Sequence, residues 1–345
     1  MANVIDVHVH FGAPGKNGSP VHGCYWSPSF EEAAAYWAFR LITGTLFGKI
    51  DFDRAKSTMS KVVDRSTKVD KSVFFAFDQV YDEQSNTDLI HWTNLYVDNR
   101  TIVELVASNT RILFGASIHP YRSDWQAELD YCLANKAVLC KWLPSAQCID
   151  PSHPKCMPFY DALAAHNLPL LCHVGPELSI PTWNKDFEKF NNALYLRPAL
   201  ERGVTIIFAH SSLPFEPTIL NHDNAFLQFL SVMNDARNNN YSDKWKAYAD
   251  ISALCLLRSS YVPFLLNNID SSRLIFGSDY PIPMIDLSYK KVPSVWDWIK
   301  HFWETLTAKN PLDKNYLLLE DMGFPPEVFT AADELFNTIN YDPAA

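Results

Sequence analysis

Short apolar runs recur along the chain, each followed by a polar loop and an amphipathic stretch of about 10–20 residues. They predict strands over residues 4–11, 72–77, 112–118, 137–141, 169–173, 204–210, 247–252 and 273–279. The run Ser72-Val73-Phe74-Phe75-Ala76-Phe77 is apolar without alternation, the mark of a strand covered on both faces as in a parallel sheet. Helical patterns fill the intervals at 29–42, 52–67, 86–108, 124–135, 157–166, 187–202, 222–238 and 258–268, with Pro198 expected to kink or restart its helix. Residues 12–26 hold Gly12, Pro14, Gly15, Gly18, Pro20 and Gly23, so they read as a long irregular loop whose Tyr25 and Trp26 are placed to cover a pocket. Extra C-terminal helices are expected at 294–309, 311–322 and 325–339. Eight strand–helix units run in one direction with no linker between them. They predict an α/β fold, a single closed (β/α)8 TIM barrel over residues 1–345.

The first strand, Val4-Ile5-Asp6-Val7-His8-Val9-His10-Phe11, holds two histidines. Alternation puts His8 and His10 on one face and Val7, Val9 and Phe11 on the other. Two adjacent imidazoles supply a third to a half of the ligands a zinc or similar ion needs, and the rest must come from downstream. Parallel barrels keep their chemistry at the C-terminal strand ends. There, polar residues close the later apolar runs: Lys141, His173, His210 and Asp279. Nitrogen and carboxylate donors converging on one mouth suit a catalytic divalent ion that keeps a position open for water. One or two ions are expected, zinc first, with manganese or iron as alternatives. His119, Arg122, Trp142, Ser145, Gln147 and Tyr280 also follow strand ends and are candidate pocket residues, the arginine suiting a carboxylate.

Composition narrows the partners. A net charge of −10 without clustered Lys and Arg argues against nucleic acid and against an anionic membrane surface. No apolar stretch of about 18 residues occurs and no basic-then-apolar leader opens the chain, so a cytoplasmic location is expected. Seven cysteines, odd in number and without a Cys-x-x-Cys pair, read as reduced, mostly buried thiols. A small-molecule substrate is the expected partner, and a homo-oligomer stays open.

Five motifs taken in order resemble a known family: Ile5-Asp6-Val7-His8-Val9-His10, Lys141-Trp142-Leu143-Pro144, Leu171-Cys172-His173-Val174-Gly175, Phe208-Ala209-His210 and Phe276-Gly277-Ser278-Asp279-Tyr280-Pro281. The set is similar to the amidohydrolase superfamily, in the branch that includes aminocarboxymuconate-semialdehyde decarboxylase, over nearly the whole chain. The resemblance implies a (β/α)8 barrel with one or two divalent metals that hydrolyses amide or ester bonds or, in some members, decarboxylates. By the same resemblance His8, His10, His173 and Asp279 hold the first metal, and Asp279 also shuttles a proton. His210 then serves a second metal or polarises water or substrate, and Lys141 is either carbamylated and bridging or a substrate-binding residue.

The chemistry agrees with these roles. A bound divalent cation lowers the pKa of water from about 15.7 to about 7. A carboxylate beside it, Asp279, takes the proton as water attacks and returns it to the leaving group. Asp6 is the expected acceptor for a ligand histidine N–H. A metal-dependent hydrolase of amides, esters or lactones is therefore expected. The alternatives are a non-oxidative decarboxylase of a small aromatic acid and a non-catalytic metal- or ligand-binding barrel.

Overall fold

In chain order the strands are β1 (Ile5–His10), β2 (Cys24–Trp26), β3 (Lys71–Phe75), β4 (Leu95–Val97), β5 (Ile112–Ala116), β6 (Leu139–Trp142), β7 (Leu170–Cys172), β8 (Ile206–Phe208), β9 (Ala247–Asp250) and β10 (Leu274–Ile275). The computed structural model describes residues 2–15, 19–33, 36–37, 39–40, 50–177, 179–213, 223–238, 245–254, 258–282 and 310–339. Eight strands form one sheet in the order β1, β3, β5, β6, β7, β8, β9, β10, and each pair is parallel. The chain beyond β10 closes it on β1: Val7 N donates to Phe276 O (3.1 Å), Asp279 N to His8 O (2.8 Å) and His10 N to Tyr280 O (2.8 Å). The expected TIM barrel is the observed fold.

Period-two alternation sorts the strand residues into two packed layers. Ile5, Val73, Phe75, Leu139, Leu171, Ile207 and Ile275 form the interior cluster. Ala332 and Phe336 of the helix Pro326–Asn337 join it, while Asp333 of the same helix accepts from Asn3 N (3.2 Å) and Asn3 Nδ2 (3.0 Å). That helix therefore packs where β1 begins, opposite the C-terminal strand ends. The intervening residues, among them Phe74, Phe114, Cys140, Trp142, Cys172 and Phe208, face the helices.

β1 departs from simple alternation. Asp6 pairs with Ser72 but Val9 pairs with Phe74, so Val7 and His8 together oppose Val73 in a β-bulge. Val7 consequently packs in the interior cluster rather than outward with Val9 and Phe11. The bulge keeps His8 and His10 together at the mouth while Ile5 and Val7 fill the barrel beneath them.

Three other expectations need correction. The loop over 12–26 ends in β2, which pairs antiparallel with β4 through Cys24–Val97, Tyr25–Tyr96 and Trp26–Leu95. The helix expected over 86–108 therefore spans only Asn99–Ser108, capped by the Asp98 carboxylate accepting from Arg100 N. Leu95-Tyr96-Val97 is rich in strand formers, and the available partner strand overrides its helical spacing. Residues 187–202 are two 3-10 segments, Lys185–Asn191 and Ala193–Leu196, followed by the helix Arg197–Glu201, with Pro198 in its first turn as expected. The remaining helices fall within a few residues of expectation: Phe52–Asp64, Trp125–Ala134, Cys156–Ala165, Asp223–Asn238, Val262–Asn268, Pro311–Asp321 and Pro326–Asn337. The stretch 294–309 lies outside the described residues, as does part of 29–42, of which Pro28–Glu31 is helical. The six described cysteines are free and buried, and Cys255 lies outside the described residues. Among the described residues no helix is long and apolar enough to cross a membrane.

Candidate active site

His8 and His10 stand at the end of β1 because Asp6 anchors that strand to the chain after β10. The Asp6 Oδ1 accepts His8 N (3.1 Å) and Ser278 N (2.8 Å). Burial pushes the Asp6 carboxyl up to about 7, against the lowering effect of Ser278 and of the backbone donors. Asp6 therefore braces backbone, and the expected bond from it to a histidine ring is not made.

Asp250, at the end of β9, makes that bond instead. Its Oδ2 lies 2.7 Å from His8 Nδ1, and both groups are fully buried. A carboxylate only accepts, so His8 Nδ1 carries the proton and Nε2 presents its lone pair to the mouth. The other Asp250 oxygen accepts His210 N (2.8 Å), Ser252 N (3.0 Å) and Ser252 Oγ. Ser252 Oγ also lies 2.8 Å from His210 Nδ1 and 3.1 Å from His8 Nδ1. One buried carboxylate thus orients two histidines from strands far apart in sequence.

His210 needs that brace. His210, Ser211 and Ser212 have φ of 56°, 50° and 51°, left-handed values that cost a residue other than glycine about 1–3 kcal/mol each. The turn lays the His210 ring over His8, stacked at 5.0 Å between centroids. Asp279 is also left-handed, with φ 62°, and its Oδ1 lies 3.2 Å from His10 Nε2 and 3.4 Å from His8 Nε2. His8 Nε2 is in turn 3.1 Å from His10 Nε2 and 3.2 Å from Lys141 Nζ.

His173, just past β7, meets His210 edge-on at 5.2 Å between ring centroids. Glu177 Oε2 lies 3.4 Å from His173 Nε2. Burial, aided by neighbouring charge, holds His8, His173 and His210 well below the usual histidine range, so they are neutral, the form that binds metal. Burial also lowers Lys141, while Asp250 and Asp279 oppose the shift. Arg258 is lowered by burial to about 10, offset by Asp279, Glu177 and Asp250, and keeps its charge at neutral pH.

These groups floor a cleft that opens at the C-terminal mouth of the barrel. Phe11, Trp26, Phe30, Leu95, Leu143 and Ile180 supply apolar walls, and Glu177 and Arg258 face the same space. Trp26 lines the pocket as expected, and Tyr25 does not. The other suggested pocket residues do not line it. Arg122 pairs with Asp78 (3.1 Å), Asp124 (2.9 Å) and Glu128 (3.6 Å), and Trp142 donates to Ile118 O (2.8 Å) and stacks on Phe159. His119 bonds Gln147 O (2.9 Å), Gln147 Nε2 reaches Asp78 O (3.3 Å), Ser145 Oγ accepts from Asn191 (3.0 Å), and Tyr280 is buried. The reason for Trp142 is alternation: the neighbour of an inward residue, Lys141, faces the helices.

The donor set fits a divalent cation. With bonds of about 2.0–2.2 Å, adjacent ligand atoms lie about 2.8–3.6 Å apart in octahedral to tetrahedral geometry. The His8–His10, His10–Asp279 and His8–Asp279 separations of 3.1, 3.2 and 3.4 Å fall in that window. Donor atoms of His8, His210 and Asp279 also gather within 4.8 Å of one another.

A closed parallel barrel that collects neutral imidazoles and a carboxylate at its C-terminal mouth presents the donor set a divalent ion takes. Residues 5–310 match the family model described as amidohydrolase, and the chain belongs to that family. Solved structures agree in fold. A candidate 2-pyrone-4,6-dicarboxylic acid hydrolase from Pseudomonas putida aligns over 99% of this chain and 100% of its own, with a TM-score of 0.57 at 12% identity. The 5-carboxyvanillate decarboxylase of Sphingomonas paucimobilis aligns over 98% and 99%, with a TM-score of 0.52 at 12% identity. An amidohydrolase 2 from Bifidobacterium longum subsp. infantis gives 98%, 99% and 0.52 at 15% identity. No curated protein sequence matches the chain.

Asp250, Ser252, Glu177 and Arg258 are absent from the sequence-derived site. Asp250 closes the run Ala247-Tyr248-Ala249-Asp250, so the strand-end rule applied to that strand finds it. Glu177 lies in a loop, where periodicity carries no signal, and Arg258 precedes the helix that the pattern starts at 258.

Proposed function

We propose that the chain is a metal-dependent hydrolase that cleaves an amide, ester or lactone bond of a small molecule. The observation that supports this most is the Asp279 carboxylate, 3.2 and 3.4 Å from two imidazole nitrogens and facing an apolar-walled cleft. His8, His10, His173 and Asp279 hold the first ion, zinc or else manganese or iron, and His210 and Lys141 serve a second. Bound there, the ion supplies Lewis acidity and makes water a stronger acid. Asp279 accepts the proton of the attacking water and passes it to the leaving group. His210 polarises the substrate where a single ion is held, and the apolar walls exclude bulk water. The net charge of −10 supports a small-molecule rather than a nucleic-acid substrate, and the proposal includes a cytoplasmic setting. Metal analysis joined to a screen of lactones, amides and aromatic carboxylates, scored separately for hydrolysis and for released carbon dioxide, tests this reading.

A specific observation favours decarboxylation as the second reading. Arg258, buried and charged, faces the cleft, and its planar fork suits a carboxylate. Release of carbon dioxide without hydrolysis in the same screen selects it.

Two predictions concern the groups around His8. Asp250→Asn replaces the acceptor that sets the His8 tautomer, and metal affinity is expected to fall about 10–100-fold, measured by titration of the metal-free protein. Unchanged affinity removes Asp250 from the orienting role. Lys141 is buried and shifted toward its neutral amine, the form that adds carbon dioxide to give a carbamate able to bridge two ions. Lys141→Ala is then expected to lower metal content from about two ions per chain toward one. Acetate or propionate should partly restore activity. One ion per wild-type chain, beside an unmodified lysine, sinks the bridging role.

A further inference from the structure

The loop after β7 brings a carboxylate to the site that the roles above leave unused. Gly175, with φ +83°, turns the chain directly after His173, and a Cβ there would stand 2.9 Å from Ser212 Oγ. The turn folds Glu177 back over the imidazole. Its Oε1 accepts Ile180 N at 2.9 Å and the neighbouring Ser179 N, so the carboxylate cannot rotate freely. Its Oε2 is left facing His173 Nε2 at 3.4 Å, with both side chains buried.

No hydrogen bond joins those two atoms. His173 Nε2 is a buried nitrogen without a hydrogen-bond partner. A ring nitrogen and a carboxylate oxygen, both buried, therefore face each other at 3.4 Å without the geometry of a hydrogen bond. A cation seated between the two would give both buried atoms a partner. The separation equals the edge of a tetrahedral site with bonds of about 2.0–2.2 Å.

We infer that Glu177 is itself a metal ligand, paired with His173 as a two-donor arm that the loop after β7 supplies to the ion. The inference rests on the proposed metal dependence and adds a carboxylate to its donor set. A second anionic oxygen lowers the net charge of the loaded site and opposes the loss of the ion.

The test uses the full metal-free chain and two probes, Zn²⁺ followed by calorimetry and Co²⁺ followed by visible absorption. Glu177→Gln keeps an oxygen able to accept from Ser179 N and Ile180 N, so the loop is retained, and an unchanged far-ultraviolet spectrum and melting temperature verify this. The variant is expected to bind Zn²⁺ at least about 10-fold more weakly. Its Co²⁺ bands should also change in position and intensity, because the coordination shell has lost an oxygen. Glu177→Asp retains the charge but withdraws the carboxylate by one methylene, and its Co²⁺ spectrum should change as well. Wild-type affinity and wild-type Co²⁺ spectra in both variants overturn the assignment and leave the metal reading intact. A wild-type chain that takes up neither ion overturns both.

Discussion

Asp279→Asn is expected to lower kcat by about 10²–10⁴-fold while KM changes little. The amide keeps the size and the left-handed backbone of Asp279 but cannot accept a proton from attacking water. Ground-state contacts survive the change and the transition-state transfer does not, so the loss falls on kcat. Asp279 Oδ1 also sits among the His8 and His10 nitrogens, so metal content must be measured on the same sample. A variant that retains its metal and turns over within a few-fold of wild type removes Asp279 from proton transfer.

Replacing His8 and His10 together with Ala is expected to abolish metal binding. The two Nε2 atoms lie 3.1 Å apart on one strand end, and their loss leaves the first ion without two of its four proposed donors. Elemental analysis of purified wild type and double variant checks this, and equal metal content in the two disproves the site. The substitution deletes the buried His8 ring, which touches Phe75 and His210, and the partly exposed His10 ring, which touches Phe75, so a drop in melting temperature is expected as well. A folded but metal-free variant is the informative result. Far-ultraviolet circular dichroism separates it from an unfolded one.

Strand ends were the most legible part of this protein, and particular residues show why. A parallel barrel strand is covered on both faces, so Lys141 after Val138-Leu139-Cys140, or His173 after Leu170-Leu171-Cys172, stands out against its own run. Arg122, Trp142 and Gln147 carried the same local signature and were misplaced. Alternation turns Trp142 toward the helices, and an acidic cluster claims Arg122. β4 was hidden because Leu95-Tyr96-Val97 becomes a strand only when Cys24-Tyr25-Trp26 is beside it.

The order of apolar runs and helical intervals by itself determined the (β/α)8 barrel and the strand ends bearing His8, His10, Lys141, His173, His210 and Asp279. Local periodicity suffices for this, because each strand and helix must bury its own apolar face. What those residues do to one another was decided only by the tertiary structure. The bulge at Val7-His8, the left-handed turn at His210-Ser211-Ser212 and the closure of Phe276–Tyr280 onto β1 set which atoms meet. So do Asp250, 242 residues from His8, and the Gly175 turn that folds Glu177 back. Hydrogen bonds and donor distances of about 3 Å depend on contacts between distant segments, and residue order along the chain does not contain them.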